Sequence, residues 1–347
     1  MSAPVTTAGP DRLLMLTTTV LVVTAGVVVV AGLQAATGTS TPSTFGDPGP
    51  LTTTGLPVAR YLQSAAGTLV VGCAVLPVLQ PGQAVARRAH RLLTPAAATW
   101  ASVTAALYLL TASDLSGRPL PRVLTPEVQQ LFLTLPQARA QLLVVLAAVI
   151  LLLASRSRVG TEPWVARGLL AVATAGLLPP AFVGHSAAAT EHETAVASVS
   201  VHLVAGAMWV GGLAVLAVVV LADRRVGTAA ALPTIRSFST LALACVVVLG
   251  ATGVLNGALR VGPEDLLRTT YGLLLVFKAL ALAGLVGLGW WHRRRSIASM
   301  TSTTSTASAA GRATFVRLVV VELAVMALTV AAAVVLARTP APGVPGV

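Results

Sequence analysis

Stretches of about 20 apolar residues, nearly free of charge, recur along the whole of this chain. A helix needs roughly 20 such residues to cross the ~30 Å hydrocarbon core of a bilayer, and no water-soluble fold can hide so many of them. Nine stretches qualify: residues 13–33, 61–80, 95–113, 136–154, 164–184, 195–222, 235–258, 271–291 and 315–337. They are continuously rich in Ala, Val, Leu and Gly, whereas a barrel strand would alternate. The expected fold is therefore all-α, a polytopic transmembrane helical bundle of about nine helices, or eight if the first is a cleaved signal. The first is expected to stay, because its apolar run exceeds the 7–15 residues of a secretory signal, although the small residues Ala35 and Ala36 follow it. Residues 34–60, rich in Thr, Pro and Gly, and residues 299–311, a Ser/Thr/Ala tract, read as connectors.

Charge then decides orientation. Only 10% of residues are charged, yet the net charge is +12, which raises nucleic acid and membrane surface as possible partners. If the loops alternate sides, one side carries Arg12, Arg87, Arg88, Arg91, Arg156, Arg158, Arg167, Arg224, Arg225, Arg236, Arg293, Arg294, Arg295, Arg312 and Arg317. The other carries Arg60, Arg118, Arg122, Arg139, Arg260, Arg268 and Arg338 on longer loops. The positive-inside rule puts the richer side, with the N-terminus, in the cytoplasm and the C-terminus outside. Nucleic acid is set aside, since these arginines are spread over short turns without aromatic or polar partners; His90 and His292 lie in the same turns. Cys73 and Cys245 sit inside apolar runs, which excludes a disulfide scaffold and suits packing residues. No nucleophile–base pair, phosphate loop, paired catalytic carboxylate or ATP-binding motif is visible, so the chain is not expected to be an enzyme.

Three of the five histidines fall at one outer end. His185 closes the fifth stretch, His192 lies in the following loop between Glu191 and Glu193, and His202 sits about two turns into the sixth stretch. Neutral imidazole ligates copper, zinc, iron or nickel, the two carboxylates concentrate cations and either could ligate, and the Met208 thioether would favour Cu(I). Met208 is about 240° round the helix from His202, however, and the residues that share the His202 face are Gly206 and Trp209. The competing reading of His192 is solvated surface, and the spacing matches no tight metal motif. A histidine inside a membrane helix is more pointed, because polar groups there are costly and usually functional.

A second polar group shares that outer half. Asn256 ends the seventh stretch, and Tyr271 and Lys278 open the eighth. Lys278 is the only lysine, and at that depth it either snorkels to the headgroups or finds a partner or a wet cavity. Glu322 in the ninth stretch lies towards the inner surface, where it either couples protons or packs beside Arg317.

These residues carry a resemblance. Gly184-His185, then His202 with Met208-Trp209-Val210-Gly211-Gly212-Leu213, then Thr252-Gly253 with Asn256, then Tyr271-Gly272-Leu273-Leu274-Leu275 with Lys278, resemble the copper-resistance D (CopD) family of bacterial inner-membrane proteins. The likeness covers roughly residues 164–337, and the first four stretches carry no comparable signature. It implies an N-terminal four-helix membrane region over 1–158 and a CopD-like five-helix domain over 159–347. It also implies a multi-pass protein of the cytoplasmic membrane that moves copper beside an extracytoplasmic CopC-like copper-binding partner. In this reading His185 and His202, with His192, Glu191 and Met208, are the candidate metal ligands, and Trp209, Asn256, Tyr271 and Lys278 line the site. The alternatives are a haem- or quinone-linked redox protein, with haem b held between histidines of adjacent helices, and a copper-delivery scaffold for oxidase assembly that does not transport. Metal content and the visible spectrum of the detergent-purified protein separate these. Copper that is lost when His185 and His202 are both changed to Ala supports the first, and a stoichiometric Soret band supports haem.

Overall fold

A computed structural model describes residues 26–30, 32, 46–79, 83–156, 162–183, 192–221, 228–299, 305–337 and 339. Eight of its helices are long and apolar enough to cross a membrane. They are α1 (Pro50–Val78), α2 (Gln83–Ser116), α5 (Pro136–Ala154), α6 (Pro163–Leu177, continued by a 3-10 turn, Pro179–Phe182), α7 (His192–Leu221), α8 (Thr228–Ala258), α9 (Thr270–Ser299) and α10 (Ser305–Leu336). Two short helices, α3 (Leu120–Val123) and α4 (Pro126–Leu133), lie between α2 and α5. Among the described residues there is no strand. The all-α bundle expected from the sequence is the fold observed, and the eight spanning helices are the second to ninth apolar stretches. Most of the first stretch lies outside the described residues. Its residues 26–30 are helical, and Val30 packs with Tyr61 of α1 and Ala331 of α10.

Both expected connectors are shorter than read. α1 starts at Pro50 and α10 at Ser305, so parts of 34–60 and 299–311 are helix. Proline explains the first error. At the opening turn of a helix it lacks only an N–H that would be unpaired anyway, and its fixed φ suits the helix, so it starts helices that composition alone reads as coil. Prolines open α1, α3, α4, α5 and α6 in this way. At Gly49 the chain turns into α1 with φ +85°, a conformation that favours glycine.

Helices α1 and α7 form the centre. Buried residues make up 56% of the α1 span and 50% of the α7 span, against 17% for each of α8 and α9, so the last two turn most of their surface outward. α1 packs against α2, α6, α7 and α10, and α7 also against α8. The exposed residues Leu243, Val247 and Val254 of α8 and Leu273 and Leu280 of α9 suit lipid. Trp164 and Trp290, both exposed, stand at the helix ends expected on the cytoplasmic side, where indole rings favour the interface.

The central crossing is made of backbone. A Cβ on Gly72 of α1 would fall 2.1 Å from the Gly211 carbonyl oxygen of α7, and a Cβ on Gly211 would fall 1.9 Å from the Thr68 carbonyl oxygen. The next residue, Gly212, faces the other neighbour, where a Cβ would lie 2.4 Å from the Phe238 ring of α8. The Gly211-Gly212 pair thus lets α7 be approached closely from two sides, which in lipid is how helices gain contact energy. Beside this crossing Trp100, 1% exposed, packs into the space left by Gly67 of α1 and Gly176 of α6. A polar clamp joins three helices further along: the Gln63 Nε2 amide donates to Thr104 Oγ1 at 3.2 Å and to Gln141 Oε1 at 2.7 Å.

Changing Gly211 to Ala therefore drives a methyl group into backbone that cannot swing aside. It is expected to destabilise the protein by at least the ~1–3 kcal/mol of ordinary overpacking. Gly250 of α8, with nothing within 4 Å of its Cβ position, is the control. Gly250→Ala should be neutral or stabilising by up to ~1 kcal/mol. Thermal unfolding midpoints of the two variants in detergent, compared with the parent, check this.

Candidate functional site

His202 is half-buried on α7, facing α8. Its Nδ1 lies 2.8 Å from Thr252 Oγ1, and its Cε1 is 3.9 Å from the Cβ position of Gly253. Thr252 Oγ1 in turn donates to the Val248 carbonyl oxygen at 2.7 Å, the usual back-bond of a threonine inside a helix. A hydroxyl has one proton. Because that proton goes to Val248, Thr252 can only accept from His202, so the network assigns the ring hydrogen to Nδ1 and leaves a lone pair on Nε2. Metal-binding histidines are oriented in this way, with one nitrogen donating to a neighbour and the other facing the ion. The ring lies beside Gly253 at ordinary van der Waals distance.

Two polar stripes continue from this point. On α8, Thr252, Asn256 and Arg260 recur every four residues and so share a face, as do Tyr271 and Lys278, seven apart, on α9. The two helices are held in register where Leu275 Cδ1 lies 3.8 Å from the Cβ position of Gly257. Above that contact Arg260 Nη1 donates to the Tyr271 hydroxyl at 3.4 Å. Below it, on the same stripe of α9, lies Lys278. Tyr271 is buried with Val261 and Leu336, and Thr269 Oγ1 caps the start of α9 by accepting from Gly272 N at 3.1 Å. Asn256 Oδ1 is buried and makes no hydrogen bond among the described residues, so the middle of the ladder offers an unfilled acceptor.

The other expected ligands fall elsewhere. His185 and Glu191 lie outside the described residues. His192 is the first residue of α7 rather than a loop residue, and its side chain also lies outside what is described. Since α7 runs unbroken from His192 past His202, the two are about 15 Å apart along its axis and stand at successive depths. Met208 is half-buried against the main apolar core, and Trp209, 8% exposed, is part of it. Among the described residues no three His, Cys, Asp or Glu side chains form a metal-sized group. Glu322 is buried on α10.

Two contributors escaped the sequence reading as site residues. Thr252 was visible only as part of a motif, because its role depends on a partner 50 residues away in the chain. Arg260 was counted as an outer loop charge, although its four-residue spacing from Asn256 carried the signal that it shares the ladder's face.

Comparison with known proteins gives the family. The family profile described as Copper resistance protein D matches residues 232–336, and that described as Copper resistance protein D-like, N-terminal domain, matches residues 51–196. The chain belongs to the copper resistance protein D family. The second match extends the likeness over N-terminal helices in which the sequence showed no comparable signature. Among curated proteins, Copper transport protein CutJ of Bacillus subtilis (strain 168) is 34% identical over 118 residues, 33% of this chain. The match spans only 22% of that relative's length. No solved structure matches the chain.

If His202 ligates copper, the Thr252 contact has a measurable weight. Removing a partner that orients a ligating histidine typically costs 10–100-fold in metal affinity. On that premise Thr252→Val should weaken copper binding by about that factor, whereas Thr252→Ser, which keeps the oxygen, should not. Competition titrations of the purified variants with a chromogenic copper chelator check the difference.

Proposed function

We propose that this protein captures copper at its outer face and passes it across the cytoplasmic membrane, serving copper transport or tolerance. The observation that carries the reading is the His202–Thr252 contact inside a membrane span, which engages Nδ1 and leaves Nε2 as the nitrogen to ligate. Family membership supports copper as the substrate. In this reading His185, Glu191 and His192 concentrate and receive the ion near the outer surface, and His202 takes it about 15 Å further along α7. Met208 offers a soft thioether about 9 Å beyond that, on another face of the same helix. Trp209, Asn256, Tyr271 and Lys278 shape the surroundings of the ion. The ion's path belongs to the helices of residues 159–347, and the four-helix region of residues 1–158 braces it through α1. An extracytoplasmic CopC-like copper-binding protein is the expected donor, and movement of the ion is passive, ion-coupled or driven by that partner.

Copper flux into vesicles reconstituted with the protein tests this. The parent should accumulate copper above empty vesicles, and His202→Ala should abolish most of that uptake while Gly250→Ala leaves it intact. Binding of copper without flux would instead identify a delivery scaffold.

A further inference from the structure

Two buried oxygens on neighbouring helices make no hydrogen bond among the described residues: Ser198 Oγ of α7 and Asn256 Oδ1 of α8. Ser198 is only 6% exposed, and unlike Thr252 it does not back-bond to its own helix. Buried polar groups left in this state mark places that water or an ion completes.

The contacts between α7 and α8 bring these two oxygens together. The Cβ position of Gly206 lies 3.7 Å from Leu249 Cδ2, and one turn back along α7 His202 meets Thr252 and Gly253. The helices therefore run antiparallel, and a further turn of four residues on each makes Ser198 level with Asn256. The faces agree as well. At about 100° per residue, Ser198 falls on the arc of α7 between Gly212 and Gly206, which both face α8. Asn256 likewise falls on the arc of α8 between Thr252 and Gly253, which both face His202.

The pair also stands between the two histidines of α7. By helical rise Ser198 is about 9 Å along the axis from His192 and about 6 Å short of His202. It divides into two steps a distance that is costly for a bare ion inside a membrane.

We propose that Ser198 and Asn256 form a neutral, oxygen-lined station at which the incoming copper ion pauses between His192 and His202. The proposal rests on the copper reading above. Hydroxyl and amide oxygens are hard, uncharged donors that hold copper more weakly than imidazole does. Weak holding is what a relay needs, because a station that binds too well does not release. The ion gives up a water for each oxygen it gains here, and at His202 it gives up oxygen for nitrogen; no proton or electron moves.

The test measures copper uptake into reconstituted vesicles beside equilibrium copper binding for the parent, Ser198→Ala, Asn256→Leu and Ser200→Ala. Ser200 is the control: its Oγ also lacks a partner among the described residues, but it lies about 160° round α7 from His202. Ser198→Ala and Asn256→Leu should each slow initial uptake by about tenfold, the weight of one polar contact in a barrier, and Ser200→Ala should not. Copper affinity at equilibrium, set by His202, should stay the same in all four. A second readout needs no copper. With Cys73 and Cys245 changed to Ala, Ser198→Cys should react with silver ion added at the outer side faster than Ser200→Cys, scored by the thiol left for maleimide after unfolding. Unchanged uptake in Ser198→Ala and Asn256→Leu, equal silver rates, or slowed uptake matched by a lower thermal unfolding midpoint overturns the proposal. If the parent takes up no copper, the copper reading fails, and the silver rates alone decide whether the station exists.

Discussion

The crossing of α1 and α7 at Gly72 and Gly211 is the contact on which the rest of the bundle depends. Between helices in lipid there is little hydrophobic gain to be had, so association relies on close packing and on a few hydrogen bonds. Where a Cβ would fall within about 2 Å of the facing backbone, the contact cannot be reproduced by any other residue. Once α7 is seated there, Gly212 sets how closely Phe238 and α8 approach, and α8 brings Thr252 and Gly253 to His202. The geometry of the candidate site is thus a consequence of two glycines two to three turns away.

The polar residues that survive in the membrane fall into two kinds. Gln63, Thr104 and Gln141 satisfy one another across α1, α2 and α5, and the Thr52–Ser113 pair, 2.7 Å apart, does the same for α1 and α2. These are fastenings. The polar residues of α8 and α9 are different, since Thr252 reaches His202 of α7, Arg260 reaches Tyr271, and the Asn256 amide oxygen is buried without a hydrogen bond among the described residues.

Much of this was legible in the sequence. The eight described spans fall within a few residues of the apolar stretches except at the starts of the first two, because the bilayer imposes a length that composition records directly. The outer histidine and the Asn256, Tyr271 and Lys278 positions were legible for a similar reason, since polar side chains stand out against an apolar background. What could not be read depends on pairing between distant segments. Gly211-Gly212 is only a small-residue motif until α1 is placed against it, and Thr252 is only a back-bonded threonine until His202 arrives. The opening prolines misled for the opposite reason, since the residue that breaks helices also begins them.

One rod, α7, carries both the glycine crossing and the histidine. Nine residues separate His202 from Gly211, about 14 Å, and ten more lead to the far end of the helix at Leu221. The place where α7 meets the backbone of α1 on one side and the Phe238 ring of α8 on the other is also close to the midpoint between His202 and Leu221. Any tilt of the helix has its fulcrum there, so a displacement imposed on the ring reappears at the far end with opposite sign and nearly equal size.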